Sequence, residues 1–279
     1  MSSLREVKDR IASVRGTLKI TSAMKLVASS KLRKAQRAVE ALRPYEEALG
    51  KILSAALPGS GYKAETGEGK TLVLAFSSNS SMCGAFNNNV IKKLRDTVGA
   101  IDGPVEVWTF GKKVTEAMKK SGSPAERDYS SLAANADFDS VASISAELRK
   151  RFEDGGIARV LLVHNHFVSM GRQAVVEEQF LPFVAADSEE SVEEEEDHYI
   201  LEPGKSELLE TLLPQVLDLR LYCALLDSAA AEHAARMIAM QAATDNGESL
   251  LAELTLEYNK GRQQKITSEI LDLVGGSAQ

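Results

Sequence analysis

Hydrophobic residues near the start of the chain recur at alternating intervals of three and four positions. The series begins at Leu4 and continues to Leu53. Three polar residues interrupt it: Thr21, Lys25 and Glu46. A repeat close to 3.5 residues over about seven heptads predicts a coiled-coil helix. We expect this helix to cover residues 1–57 and to bend near Pro44, because proline removes a backbone donor.

A second regular series occupies the other end of the chain. It starts at Leu226 and runs through an alanine-rich stretch to Gly261. No proline follows Pro214, so a single helix over residues 206–275 is predicted. Two long helices at opposite ends of one chain can bury their apolar stripes against each other. We therefore predict an antiparallel coiled coil that forms a rod.

The middle of the chain has a different pattern, in which short apolar runs alternate with amphipathic segments. Four segments are predicted strands: Thr71–Ser78, Val105–Phe110, Ala158–Val163 and Ala174–Pro182. Three are predicted helices: Asn88–Val98, Lys112–Lys120 and Phe138–Phe152. This alternation predicts a Rossmann-like, mostly parallel sheet over residues 70–186, with the last two strands as an antiparallel hairpin at one edge. The fold class is α/β plus a long coiled coil, and residues 187–205 are expected to form an acidic loop.

Charge is distributed unevenly around a formal net charge of -7. Residues 1–37 contain ten Lys or Arg against two acids, whereas residues 187–197 read DSEESVEEEED. Cys83 and Cys223 lie far apart without metal-ligand spacing, which indicates reduced structural thiols. No segment approaches the roughly 18–20 apolar residues of a membrane span, and no secretory signal is recognisable.

Residues that could carry chemistry do not form a complete motif. Lys70-Thr71 ends a stretch similar to a phosphate-binding loop, but Ala64 replaces the required glycine and a strand is predicted to follow. His164 and His166 share one face of a predicted strand, yet no further metal ligand has suitable spacing. We therefore predict no catalytic, cofactor-binding or metal-binding residue.

The basic first helix allows several interpretations. Nucleic-acid binding and membrane-surface binding are both disfavoured, because residues 1–44 contain no aromatic residue. Contact with an acidic partner protein remains open, and so does a simple solvated face of the coiled coil.

Two long stretches resemble the signatures of ATP synthase gamma subunits. Residues 20–36, ITSAMKLVASSKLRKAQ, resemble the N-terminal signature, and residues 232–276 resemble the C-terminal one almost throughout. Residues 78–87, SNSSMCGAFN, are similar to a third family motif. The layout of the whole chain fits as well. The resemblance implies a non-catalytic central rotor shaft that transmits torque between a membrane c-ring and a catalytic alpha/beta hexamer.

The resemblance also implies partners and contact residues. Arg262, Gln263 and Thr267 match positions that hydrogen-bond the beta subunits. Met24 matches a residue near the beta-subunit lever, and Lys25, Lys31 and Arg33 would face that acidic element. Tyr199 and Glu202 match contacts with the c-ring. The implied partners are the alpha and beta subunits, the epsilon subunit and the c-ring, with no nucleic acid and no cofactor.

The implied location is the cytoplasmic side of the cell inner membrane, peripheral and held only through the complex. Two departures from the family pattern stand out. Asn79, Ser80 and Ser81 replace Asp-Arg-Gly, which puts the polar contacts of that loop in doubt, and Gly261 replaces the usual alanine. Two rival hypotheses are a free-standing coiled-coil scaffold whose α/β domain binds a partner or ligand, and a nucleotide-hydrolysing enzyme.

Overall fold

Two long helices and a small mixed-structure region make up the chain. The computed structural model describes residues 4–57, 69–184, 202 and 204–276. Helix α1 covers Leu4–Ala56, and the last helix, α6, covers Lys205–Gly276. Each helix contains a proline, Pro44 in α1 and Pro214 in α6, and neither proline ends its helix.

Contacts along the chain form two compact units that divide both long helices. One unit, which we call the helical unit, comprises Met1–Ser29 and Arg236–Gln279. The other, which we call the sheet unit, comprises Ser30–Ala235.

The sheet unit contains five strands in the order β3-β2-β1-β4-β5. The strands are β1 (Lys70–Phe76), β2 (Val105–Phe110), β3 (Arg127–Asp128), β4 (Ile157–Ser169) and β5 (Arg172–Leu181). Strand β1 pairs in parallel with β2 and β4, β3 pairs in parallel with β2, and β5 runs antiparallel to β4. The predicted mostly parallel sheet with an antiparallel hairpin at one edge is confirmed.

Four further helices belong to the sheet unit: α2 (Phe86–Gly99), α3 (Lys112–Lys120), α4 (Ser130–Ala134) and α5 (Phe138–Glu153). The sequence pattern did not predict β3 or α4. It also ended β4 at Val163, whereas the strand continues to Ser169 by pairing with β5. Strand β1 ends at Phe76, two residues before the predicted end. Ser77 then accepts a hydrogen bond from the Val114 backbone N–H at 3.0 Å.

Successive residues of each strand point to opposite sides of the sheet, and helices cover both sides, so both faces are buried. Leu74, Phe76 and Phe110 belong to a core that includes Leu53 of α1 and Leu217 of α6. The opposite face packs Val73, Ala75 and Val107 with residues of α2 and α3. Gly111, between β2 and α3, has φ +115°, and a Cβ there would lie 2.1 Å from the Ser77 carbonyl oxygen. Glycine is therefore required at this close approach.

Pro214 lies at a polar contact inside the sheet unit. Arg149 of α5 donates to the Pro214 carbonyl at 3.2 Å and also pairs with Asp218, one turn further along α6. This arginine fixes α5 to the part of α6 that contains the proline.

The helical unit is held by a narrow seam between α1 and α6. The buried residues of this unit are Val7, Thr21 and Ala28 from α1, and Arg236, Met240, Thr244 and Leu254 from α6. Contacting pairs are Leu4 with Gly261, Leu18 with Gly247, Thr21 with Thr244 and Lys25 with Gln241. Residue numbers on α6 fall as those on α1 rise, so the predicted antiparallel pairing is confirmed.

Candidate interaction surface

Large apolar side chains remain exposed on the helical unit. Leu26 is 67% exposed on α1, and Leu256 and Leu273 are 73% and 74% exposed on α6. Ile266 and Ile270, four residues apart on α6, are also exposed. Residues at this spacing share one helix face. Exposed apolar residues that share a helix face, as Ile266 and Ile270 do, are typical of a surface that binds another protein.

A groove of about 330 Å³ lies between α1 and α6 within the helical unit. Its lining comes from both helices: Lys25, Leu26, Ser29, Met237, Ile238, Gln241, Ala242 and Asp245. Lys25 Nζ donates to Gln241 Oε1 at 2.6 Å, and Gln241 Nε2 donates to Asp245 Oδ1 at 2.6 Å. The groove therefore combines an apolar lining with a hydrogen-bonded polar rim.

Sequence reasoning identified Lys25 but missed the α6 residues opposite it. Gln241 and Asp245 are four residues apart, so they share one face of α6. The sequence predicts that α1 and α6 are antiparallel but not their register, and it is the register that places this pair beside Lys25.

The residues expected to contact beta subunits are distributed over both units. In the helical unit, Met24 and Lys25 are half-buried, whereas Arg262, Gln263 and Thr267 are exposed. The Thr267 hydroxyl donates to the Gln263 carbonyl at 2.9 Å, as expected for two residues on one helix face. These side chains are accessible to a partner.

Lys31 and Arg33 belong to the sheet unit, where both are exposed. Of the two residues expected at the c-ring, Glu202 is exposed, and Tyr199 lies outside the described residues. The acidic run 187–197 also lies outside them.

The two strand histidines each meet a carboxylate within the sheet unit. His166 Nδ1 lies 2.5 Å from Asp227 Oδ2 of α6. His164 Nε2 lies 3.5 Å from Glu178 Oε1 of β5, and this contact lowers the pKa of Glu178. Among the described residues, no group of three or more His, Cys, Asp or Glu side chains could hold a metal ion.

Both cysteines are free, and Cys83 is buried. Burial raises the pKa of the Cys223 thiol to about 12, and nearby Glu46 adds to this effect. Burial also raises the pKa of Glu46. Cys223 therefore stays protonated near neutral pH, and a protonated thiol is a poor nucleophile.

The loop that departs from the family pattern is anchored by its own side chains. Asn79 Nδ2 donates to the Ser130 carbonyl at 2.7 Å, and Asn79 Oδ1 accepts from the Lys112 backbone N–H at 3.0 Å. Ser78 is tied to Asn87 by bonds of about 3.0 Å. Asn79 thus connects the loop to α3 and α4. Met82 has φ +67° and is 63% exposed.

Lys70, the lysine of the stretch similar to a phosphate-binding loop, is the first residue of β1. A phosphate-binding lysine of that type stands at the start of a helix instead. In the described part of the chain, no helix combines the length and the apolar character needed to cross a membrane.

Comparison with known proteins assigns the whole chain to one family. A family model described as ATP synthase matches residues 3–278. The ATP synthase gamma chain of Bacteroides fragilis is 46% identical over 288 residues, covering 99% of each chain. That of Flavobacterium johnsoniae is 41% identical over 284 residues, covering 99% of this chain and 98% of the relative.

Solved structures share the fold. A chain from the Euglena gracilis mitochondrial ATP synthase, in a structure of OSCP, F1 and c-ring, superposes with a TM-score of 0.70 at 19% identity. The match covers 99% of this chain and 93% of that one. A rotor chain from the same organism gives a TM-score of 0.66 at 20% identity, with coverages of 94% and 98%. Given the full-length family match and the close bacterial relatives, the chain belongs to the ATP synthase gamma chain family.

Proposed function

We propose that this chain is the central rotor shaft of an ATP synthase. It transmits torque between the membrane c-ring and the catalytic alpha/beta hexamer, coupling proton translocation to ATP synthesis or hydrolysis. The observation that carries the proposal is the 46% identity to a gamma chain over 99% of both sequences. The antiparallel seam of the helical unit gives the proposal a mechanical basis.

A shaft needs stiffness and asymmetry, and the helical unit offers both. Paired helices resist bending better than one, and the exposed surface differs between α1 and α6. An asymmetric surface that turns inside a ring contacts each beta subunit differently. Differential contact is what shifts a partner between conformations, and with it the nucleotide affinity. No catalytic residue on the shaft is required, so the chain acts as a non-catalytic subunit.

We assign the beta-subunit contacts to Arg262, Gln263 and Thr267 on α6. The exposure of all three supports this assignment. Met24 and Lys25 form a second contact region, beside the groove of the helical unit. Lys31 and Arg33, both exposed, add positive charge suited to an acidic element.

The remaining partners are proposed from the family. Glu202 and Tyr199 would contact the c-ring, and the epsilon subunit would bind as well. The shaft consists of segments 1–57 and 206–275. The α/β domain consists of residues 70–186, and the foot consists of residues 187–205. The chain is then peripheral on the cytoplasmic side of a bacterial inner membrane, held there only by the complex.

Co-purification from the native membrane tests the proposal against the scaffold hypothesis. A tagged chain is expected to bring alpha and beta subunits in stable stoichiometry, together with the c-ring. Recovery of the tagged chain without alpha or beta subunits would show that it is not the shaft.

The contact residues have their own test in the purified complex. Replacing Arg262 and Gln263 with alanine should reduce ATP-driven rotation or assembly, while the helix content of the isolated chain stays unchanged. Gln264→Ala is the matched control, because Gln264 is an exposed glutamine at the next position. Equal activity of the double variant and the control would remove Arg262 and Gln263 from the contact set.

A further inference from the structure

A polar contact lies inside the largely apolar seam of the helical unit. The Thr244 hydroxyl donates to Thr21 Oγ1 at 3.0 Å. Both threonines are buried, at 8% and 9% exposure. Thr21 breaks the apolar repeat of α1, so the sequence alone presents it as a defect of the seam.

One turn away, the two helices approach each other closely. Gly247 of α6 faces Leu18 of α1, and a Cβ at position 247 would lie 2.7 Å from Leu18 Cδ2. Real side chains essentially never approach so closely, so the Leu18 side chain fills the space left by the missing Cβ. The hydroxyl pair and the leucine–glycine contact occupy neighbouring turns of the same two helices.

We infer that Thr21, Thr244, Leu18 and Gly247 form a clasp that fixes the position of α1 along α6. Apolar burial is non-directional, so buried area alone does not select one register, whereas the Leu18 side chain in the space at Gly247 fits only one. A hydrogen bond weakens steeply with distance and angle, so the hydroxyl pair also opposes sliding of one helix along the other. Buried polar residues fix register in coiled coils by the same principle. Thr21 and Thr244 are thus positioning residues.

The clasp also sets the geometry of the groove next to it. Lys25 lies one turn beyond Thr21, and its partner Gln241 lies one turn before Thr244. Sliding at the clasp would therefore separate Lys25 from Gln241 and reshape the surface lined by Leu26 and Ile238. The consequence for torque rests on the proposed function, because only a loaded shaft must resist such sliding.

The hydroxyl pair can be removed cleanly, since each threonine has a second acceptor within its own helix. Thr21 Oγ1 donates to the Leu18 carbonyl at 3.1 Å, and Thr244 Oγ1 lies 2.9 Å from the Met240 carbonyl. A valine at either position deletes the bond across the seam and leaves the other hydroxyl satisfied. Neither change leaves a buried polar group without a hydrogen-bond partner, which by itself would lower the free energy of unfolding.

The test measures the distance between the two helices in the full chain without partners. Nitroxide labels are attached to Lys19→Cys and Glu248→Cys, two exposed positions beside the clasp, in a Cys83→Ala, Cys223→Ala background. Pulsed electron spin resonance then gives the distribution of label distances. The parent should show one narrow peak.

Thr244→Val keeps the shape but loses the hydroxyl, so the population outside the main peak should rise about fivefold, as expected for losing one hydrogen bond. Thr21→Val should give the same result, and it replaces Thr244→Val in the test if that variant does not fold. Thr244→Ser keeps the hydroxyl and should retain the narrow peak. Thr17→Val is the matched control, because the exposed Thr17 hydroxyl donates to the Ser13 carbonyl of its own helix rather than across the seam.

A narrow peak in both valine variants would overturn the clasp. So would equal broadening in Thr244→Ser and Thr244→Val, because the methyl group rather than the hydroxyl would then hold the helices. These distances do not depend on alpha or beta subunits. The clasp can therefore fail while the rotor assignment stands, and the rotor assignment can fail while the clasp stands.

Discussion

The sheet unit and the helical unit use their apolar residues in different ways. In the sheet unit, Trp108, Phe76 and Phe110 are at most 1% exposed, and both faces of the sheet are covered. In the helical unit, the seam buries Val7, Met240 and Leu254 together with small or polar residues such as Ala28 and Thr244, while several other large apolar residues stay exposed. Leu256, for example, is 73% exposed.

This difference indicates which surface is built for a partner. Exposed apolar area lowers solubility, so an apolar surface of this kind is typically one that a partner protein covers. The sheet unit satisfies its apolar residues internally. The helical unit leaves the apolar residues of α6 for another protein, as a shaft within a ring would.

The largest expected effect contrasts a buried leucine with an exposed one. Leu162→Ala should destabilise the sheet unit by about 2–5 kcal/mol, because Leu162 is fully buried and its removal leaves a cavity. Leu256→Ala should change the stability of the isolated chain by less than about 0.5 kcal/mol. Urea unfolding followed by Trp108 fluorescence and by circular dichroism measures both.

If Leu256→Ala weakened assembly with alpha and beta subunits while leaving the isolated chain stable, Leu256 would belong to a surface that those subunits cover. If instead it destabilised the isolated chain as strongly as Leu162→Ala, the exposed surface would have to be covered within the chain itself.

A second, intermediate effect concerns the buried charge of the sheet unit. Arg151 donates two hydrogen bonds of 2.8 Å to Glu106, and Trp108 Nε1 donates a third. The Arg151 bonds lower the pKa of Glu106 below its ordinary value. The stability from this carboxylate is therefore complete above about pH 4.5, the ordinary value, and is lost as the pH falls through the lowered folded-state pKa.

Glu106→Gln should therefore cost about 1–3 kcal/mol near neutral pH. It should also reduce the acid-induced loss of stability, measured by urea unfolding at a series of pH values. Glu46→Gln is the opposing control. Burial raises the pKa of Glu46, so its ionised form weakens the folded state, and the glutamine should increase stability near neutral pH. If the free energy of unfolding depended on pH in the same way in both variants, the opposite pKa shifts assigned to Glu106 and Glu46 would be contradicted.

The smallest expected effect tests a charge pair of the helical unit. Lys265 Nζ lies 3.7 Å from Glu269 Oε1, and both side chains are more than 60% exposed. Glu269→Gln should change stability by no more than about 0.5 kcal/mol, because water and salt screen such a pair. If Glu269→Gln lowered the free energy of unfolding as much as Glu106→Gln does in the same assay, the exposed pair of the helical unit would be as strong as the buried pair of the sheet unit. That result would contradict the difference between the two units.

The periodic parts of the fold were predictable from the sequence. Heptad repeats gave α1 and α6, and the apolar runs gave β1, β2, β5 and the first half of β4. The predicted bounds ended β4 at Val163, although His164 and His166 were assigned to a strand, because the polar residues there end the apolar run. Pairing with β5 rather than hydrophobicity continues the strand to Ser169. Strand β3 has two residues and α4 has five, too few to show a period.

Features that depend on contact between distant segments could not be predicted in the same way. Thr21 looked like an interruption of the repeat, and only Thr244, more than 200 positions away, shows that it belongs to the seam. The groove likewise depends on the register between α1 and α6, which no local pattern reveals. The candidate contacts Arg262, Gln263 and Thr267 came from the family signature, and the structure adds their exposure.

Direct observation of rotation tests the central claim. A bead is attached to Lys119→Cys, an exposed position on α3, in a complex whose alpha/beta hexamer is fixed to a surface. On addition of ATP, the bead should turn repeatedly in one direction, in three main steps per revolution if three beta subunits act in turn. A complex that hydrolyses ATP while the bead stays fixed would show that the chain is not the rotating shaft.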